Sequence, residues 1–107
     1  MTLRVSATYL TATLQDARAR TLELVDGLDQ EQLMGPKIPG VNPLRWEIGH
    51  IAYFYEFFIL RQLYGHNSIL GLKADELYDS IAVAHDTRWD LPLVSMADTL
   101  TYMQDVL

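Results

Sequence analysis

Between Thr8 and Leu28 the positions Leu10, Leu14, Ala17, Thr21, Leu24 and Leu28 recur at gaps of four and three, the spacing that lines up side chains on one face of an α-helix. Gln15, Asp16, Arg20, Glu23 and Asp26 fall on the opposite face. Gly27 and Asp29 are stop and restart signals, and Asp29 to Leu33 is expected to add one further turn. Met34 to Val41 holds two prolines and two glycines in eight residues, a density that neither a helix nor a central strand tolerates, so a loop is predicted. Asn42 then offers a capping side chain and Pro43 a fixed φ suited to the first helical position. A second helix is predicted from there to about Tyr64, with Gly65 ending it.

This second helix is apolar on nearly every face. Arg45, Gly49, Ala52 and Glu56 form one narrow polar or small stripe, while Trp46, His50, Tyr53, Phe57 and Tyr64 lie well away from it. Such a helix belongs in the middle of a bundle, and Gly49 with Ala52 lets a neighbouring helix approach closely. From Asn67 to Val94 the pattern weakens to a short helix over Ala74 to Ser80 and an ordered loop from His85 to Pro92. Ser95 and Asp98 have the spacing of a capping box, and Met96, Leu100, Met103 and Leu107 keep helical spacing to the last residue. No strand alternation and no internal repeat appears, so the fold class is all-α, an up-down helical bundle. With no stop signal before Leu107, the chain is expected to be an incomplete N-terminal part of something longer.

Composition narrows the function classes. With 107 residues one domain, 1–107, is expected. Fourteen acidic against 8 basic side chains give a net charge of -6, the wrong balance for a protein driven by phosphate contacts, so no nucleic-acid partner is expected. The chain has no cysteine, which removes disulfides, thiolate nucleophiles and cysteine-based zinc sites. The N-terminus lacks the uninterrupted apolar core of a signal peptide, and the run from Ile48 to Leu60 is too short to span a membrane. The reading is cytoplasmic, with no membrane partner.

His50 is the first candidate for chemistry, because its imidazole projects from a surface made by Trp46, Tyr53, Phe54 and Phe57 and must there find a hydrogen-bond partner or a ligand. It is either a core histidine satisfied by a carbonyl or water, or a metal ligand. Glu47 to His50 has the Glu-x-x-His spacing of di-iron carboxylate bundles, but that architecture needs a second such motif and further inward carboxylates that the chain lacks. Glu47 reads instead as a first-turn surface residue. In the loop His85, Asp86, Arg88, Trp89, two readings stand: a turn held by Asp86 with Trp89 plugged into the core, or Arg88 as a fork-shaped donor to a substrate carboxylate. His66 and Arg61 read as cations at a helix end. No phosphate loop, nucleophile elbow or His-Glu-x-x-His motif is present.

The run Val41-Asn42-Pro43-Leu44-Arg45-Trp46-Glu47-Ile48-Gly49-His50-Ile51-Ala52-Tyr53-Phe54, followed by Glu56 and Arg61, resembles the N-terminal DinB-like domain of the ergothioneine sulfoxide synthases. In that family the stretch reads Asn-Pro-x-x-Trp-Glu-(Leu/Ile)-Gly-His-(Leu/Ile/Val)-Ala-x-Phe, with an arginine at the helix end. The likeness continues through Leu77-Tyr78-Asp79-Ser80, the loop around Arg88, and Leu100 and Tyr102.

The resemblance implies a non-haem iron enzyme that uses O₂ to join a thiol to the ring of trimethylated histidine, hercynine, as a sulfoxide. Its cofactor is Fe(II) held by three histidines. His50 matches the first of these, and the others form a His-x-x-x-His pair on a later helix that these 107 residues do not contain. A C-terminal domain similar to formylglycine-generating enzymes is also outside them. Arg88 lies where family members carry arginines for the thiol's carboxylate, and its loop is closer to relatives that handle other thiol or selenol donors, such as selenoneine synthases. The chain alone is therefore expected to be inactive, and pairing of two copies into a homodimer, or cover by another chain, is expected over its open apolar face. Other readings are a stand-alone DinB-like metal-dependent thiol transferase or hydrolase, and a non-catalytic dimerisation module.

Overall fold

The computed structural model describes residues 4–71 and 73–107. Helix α1, Ala7–Val25, is opened by Ser6, whose hydroxyl accepts the Tyr9 amide at 3.0 Å. Gly27, at φ 76°, turns the chain into the short helix α2, Gln30–Met34, where Asp29 and Gln32 form a reciprocal capping box. The loop that follows leads to α3, Leu44–Tyr55, which runs on as a π-helical segment, Glu56–Leu63. Gly65, at φ 68°, ends it, and the His66 amide reaches back to the Leu60 carbonyl at 2.8 Å, one residue further than the closing bond of a glycine-capped α-helix, as the wider π-helical turn requires. A short helix α4, Lys73–Tyr78, a 3₁₀ turn, His85–Thr87, and α5, Met96–Val106, complete the order. Ser95 caps α5 by accepting the Asp98 amide at 3.0 Å.

Helix α3 is the centre, packed most extensively against α5 and also against α2 and α4. The core gathers Trp46, Ile48, Ala52 and Tyr53 from α3, Leu77 and Tyr78 from α4, and Tyr102, Met103 and Val106 from α5, closed at one end by Val25 and Leu33. Among the described residues no helix is long and apolar enough to cross a membrane.

The helices lie where their spacing predicts, but two faces and one cap differ from the sequence reading. On α1 the buried residues are Arg18 and Val25, while Leu24 is 78% exposed. The helix is turned so that the Arg18 guanidinium donates to the Met103 carbonyl in the last turns of α5 at 2.6 Å, where the negative end of the helix dipole favours a cation. On α5 the buried set is Thr99, Tyr102, Met103 and Val106, with Leu100 exposed. Thr99 faces inward because its hydroxyl is satisfied by the Ser95 carbonyl at 2.8 Å. The stripe of Gly49 and Ala52 is buried against a neighbouring helix, as expected, and Glu56 is buried in line with it. Asn42 stands outside the cap position, donating to Glu47 at 2.6 Å.

Glu56 is 0% exposed, so its charge must be matched by hydrogen bonds. One oxygen accepts the Tyr102 hydroxyl at 2.7 Å and the other the Ile69 amide at 2.6 Å. The carboxylate thereby ties α3 to α5 and to the segment before α4. A second tie joins the π-helical segment to α4: Asp75 accepts from Arg61 at 2.9 Å and from the Tyr53 hydroxyl at 2.7 Å. Arg61 holds the Asp75 carboxyl below its ordinary range, while burial and Asp75 push the Tyr53 phenol up. Burial first, then Glu56, does the same to Tyr102. Outside this core, Phe54, Phe58, Leu63, Tyr64 and Ile81 stand exposed, Ile81 at 96%.

Two outcomes follow from these ties. Replacing Glu56 with Ala strands a buried hydroxyl and a backbone amide, and is expected to cost about 3 kcal/mol in urea denaturation, against roughly 1 for Glu56→Gln, which still accepts a hydrogen bond. Equal losses for the two would show that the hydrogen bonds are unimportant. Because Asp75 is held low, its contribution is present above the ordinary carboxyl value of about 4 and is lost as pH falls through the depressed one. Wild-type stability should therefore fall more steeply with acid than that of Asp75→Asn, as read from urea midpoints across pH.

Candidate functional site

Trp46 and His50 stand four residues apart, one above the other on α3, and their rings stack with centroids 4.6 Å apart and planes 11° from parallel. Each donates a ring N–H to a main-chain carbonyl of α4. The Trp46 indole reaches the Leu77 carbonyl at 2.7 Å, and His50 Nδ1 reaches the Tyr78 carbonyl at 2.8 Å. These are the last two residues of α4, where a helix leaves carbonyls without internal partners. Gly49 makes the approach possible: a Cβ there would lie 2.2 Å from Tyr78 Cε1 and 2.3 Å from its Cζ. The Tyr78 ring thus rests on the bare backbone of α3.

A carbonyl oxygen only accepts, so in the neutral ring the bond places the hydrogen of His50 on Nδ1 and leaves Nε2 with a free lone pair. Nε2 has no hydrogen-bond partner among the described residues. The ring is half-buried and borders a cavity of about 250 Å³ lined by Tyr53, Phe54, Phe57, Phe58, Asp79 and Ser80. An imidazole oriented through one nitrogen, with the other open beside an apolar wall, is how proteins prepare a histidine to hold a metal. His50 fits one ligand position. Among the described residues no group of three or more His, Cys, Asp or Glu side chains is placed to hold an ion, and Glu47 faces Asn42 instead.

Arg88 is brought to the same tryptophan. Its guanidinium carbon lies 4.0 Å from the centre of the Trp46 ring. The side chain is 8% exposed. Nη1 donates to Asn42 at 3.0 Å, and Nη2 to the carbonyls of Ser80 at 3.1 Å and Val83 at 2.8 Å. Both terminal nitrogens are thus engaged with the chain, and the loop after α4 is wrapped around them. His85 and Trp89 extend this clasp: His85 Nε2 meets the Val41 carbonyl at 2.7 Å and the Trp89 indole the Gly35 carbonyl at 3.2 Å. Arg45 secures the far side, donating to the carbonyls of Leu93 and Val94. His66 and Arg61 lie away from this cluster, His66 exposed at the helix end and Arg61 on Asp75.

The sequence places His50 and Arg88 as separate candidates; the fold joins them through Trp46. Tyr78 was not singled out by the sequence. The available signal was the pairing of two ring N–H donors one helical turn apart on a helix whose own hydrogen bonds are complete, which requires two acceptors from elsewhere.

Residues 13–107 match the family model for the DinB superfamily. The chain belongs to that superfamily. Its similarity to curated proteins runs over nearly its whole length. It is 35% identical over 102 residues to the hercynine oxygenase of Mycobacterium tuberculosis, covering 94% of this chain and 24% of that protein. It is 34% identical over 93 residues to the hercynine oxygenase of Mycolicibacterium smegmatis, covering 84% and 21%. The hercynine oxygenase of Mycolicibacterium thermoresistibile is 35% identical over 96 residues, 87% of this chain and 21% of the relative. The chain therefore spans about a quarter or less of the length of these relatives.

The geometry of Arg88 yields a direct test. Arg88→Lys keeps the charge but loses the planar fork that reaches three acceptors, and is expected to cost about 2 kcal/mol while speeding amide hydrogen exchange at Thr87, Arg88 and Asp90. Unchanged exchange in that loop would show that the guanidinium does not hold it.

Proposed function

We propose that this chain is the N-terminal DinB-like part of a non-haem iron oxidoreductase of the hercynine oxygenase kind, which uses O₂ to join a thiol or selenol donor to hercynine, and that His50 is one of its iron ligands. The observation that carries this reading is the state of His50: Nδ1 is tied to the Tyr78 carbonyl and Nε2 is open beside an aromatic cavity. The curated relatives support the substrate by their name, and the Trp-Glu-x-Gly-His run supports the metal by resemblance.

Fe(II), when bound, supplies the one-electron chemistry that lets O₂ react with two organic substrates. The part played by this chain's own residues is orientation and exclusion of water. Trp46 and the Tyr78 carbonyl hold the imidazole in one plane. Phe54, Phe57 and Phe58 form an apolar wall that keeps the cavity poor in water, which limits side reactions. In this reading Arg88 acts on Trp46 and the loop. The two further histidines lie on a helix outside these 107 residues, and the exposed rings of α3 are where further helices of the bundle pack.

The test is iron content after anaerobic loading with Fe(II), with hercynine-dependent O₂ consumption, on the complete protein, its His50→Ala variant and the 107-residue chain. Stoichiometric iron and turnover are expected in the first, loss of both to background in the second, and neither in the third, since one ligand cannot hold the geometry of a non-haem site. Full activity in His50→Ala would remove His50 from the site. Thiol transfer without O₂ would replace the oxidoreductase with a DinB-like thiol transferase.

A further inference from the structure

We propose that Gly49 is a positioning residue for His50, acting through Tyr78 to set which imidazole nitrogen is left open. The inference deepens the metal-ligand reading of His50 and rests on it for its functional meaning, but its geometry stands without any metal.

A histidine side chain in water prefers its proton on Nε2. In this protein the Tyr78 carbonyl, 2.8 Å from Nδ1, demands the opposite arrangement. The carbonyl can sit there only if the end of α4 lies close against α3, and the residue at the point of contact is Tyr78 itself. Its ring is fully buried, and three of its atoms, Cε1, Cζ and the hydroxyl oxygen, lie 2.2, 2.3 and 2.6 Å from where a Cβ on residue 49 would be. Real Cβ atoms do not come so close, so any side chain at 49 must displace the ring. The ring is boxed in by Trp46, Tyr53 and Tyr102, with centroids 6.5, 6.5 and 6.4 Å away. A displaced Tyr78 therefore carries its own main chain with it, and the bond to His50 is the one that opens. Gly49 has no positive φ to explain it and costs about 1 kcal/mol of helix propensity relative to alanine. Close approach is the remaining reason for a glycine in the middle of α3.

The tautomer is read directly by long-range ¹H–¹⁵N correlation on the metal-free protein labelled with ¹⁵N-histidine, at a pH where imidazole is neutral, with His50 assigned by the loss of its signals in His50→Gln. Wild type is expected to show a protonated Nδ1 and a pyridine-like Nε2. Gly49→Ala should move the proton to Nε2. Tyr78→Leu, which keeps the carbonyl but frees space, should lower stability and leave the proton on Nδ1. Gly49→Ala combined with Tyr78→Leu should return it to Nδ1, and this double variant decides the matter if Gly49→Ala alone does not fold. A wild-type proton on Nε2, an unchanged tautomer in Gly49→Ala, or a Tyr78→Leu variant that loses the tautomer as fully as Gly49→Ala would each overturn the inference. If the tautomer responds as expected and the loaded protein still holds no iron through His50, the metal reading fails and the positioning role stands.

Discussion

The end of α4 rests on α3 through two hydrogen bonds from ring nitrogens, Trp46 to the Leu77 carbonyl and His50 to the Tyr78 carbonyl. A six-residue helix has almost no stability of its own, since nucleation is unfavourable and few internal bonds repay it. Its last carbonyls are buried against α3, where each would cost about 1–3 kcal/mol if left unpaired. The two rings satisfy them from one face of one helix because residues four apart stand one above the other. From this docking follow the orientation of His50, the seat of the Tyr78 ring on Gly49, and the path of the loop that leaves α4 toward Arg88.

Around that contact the protein turns charges inward and satisfies them with main-chain atoms. Arg18, Arg45 and Arg88 all donate to carbonyls, and Glu56 accepts from an amide and a phenol. Buried ionised groups are costly unless hydrogen-bonded, and carbonyls at helix ends and in loops are acceptors a small helical domain has to offer. Arg88 donates through both terminal nitrogens, while its Nε is left without a partner among the described residues. The result is a frame in which segments with little regular structure, 35–43 and 79–95, are held by side chains with rigid or planar heads. Such a frame suits a site whose value lies in the placement of one nitrogen, because an ångström of looseness in a ligand or an oriented group is costly to chemistry.

The same frame leaves one side of α3 without cover. Phe54 and Phe58 continue the wall of the His50 cavity to the surface, and the exposed Ile81 lines it from the turn after α4. The open lone pair and the open apolar face are thus adjacent. Any group that meets Nε2 of His50 therefore meets an apolar surface at the same place, and burial of those rings would favour the contact.

The sequence by itself determined the elements. Helical spacing, the Asp29 restart and the Ser95 cap, the proline-rich loop and the glycine stop at Gly65 are local signals, and local signals depend on neighbours in the chain. It also singled out His50, because an imidazole on an aromatic helix needs a partner. The tertiary structure alone decided which faces turn inward. Leu10 and Leu24 are left outside and Arg18 is taken in because α5 presents its carbonyl end there, and Glu56 is buried because Tyr102 and the Ile69 amide, 46 and 13 residues away along the chain, meet its two oxygens. Spacing shows that a polar stripe exists, not whether partners converge on it. The fate of Arg88 was undecided for the same reason: a guanidinium reads alike whether its acceptors belong to a substrate or to Asn42, Ser80 and Val83, and only the folded chain brings those three oxygens to one place.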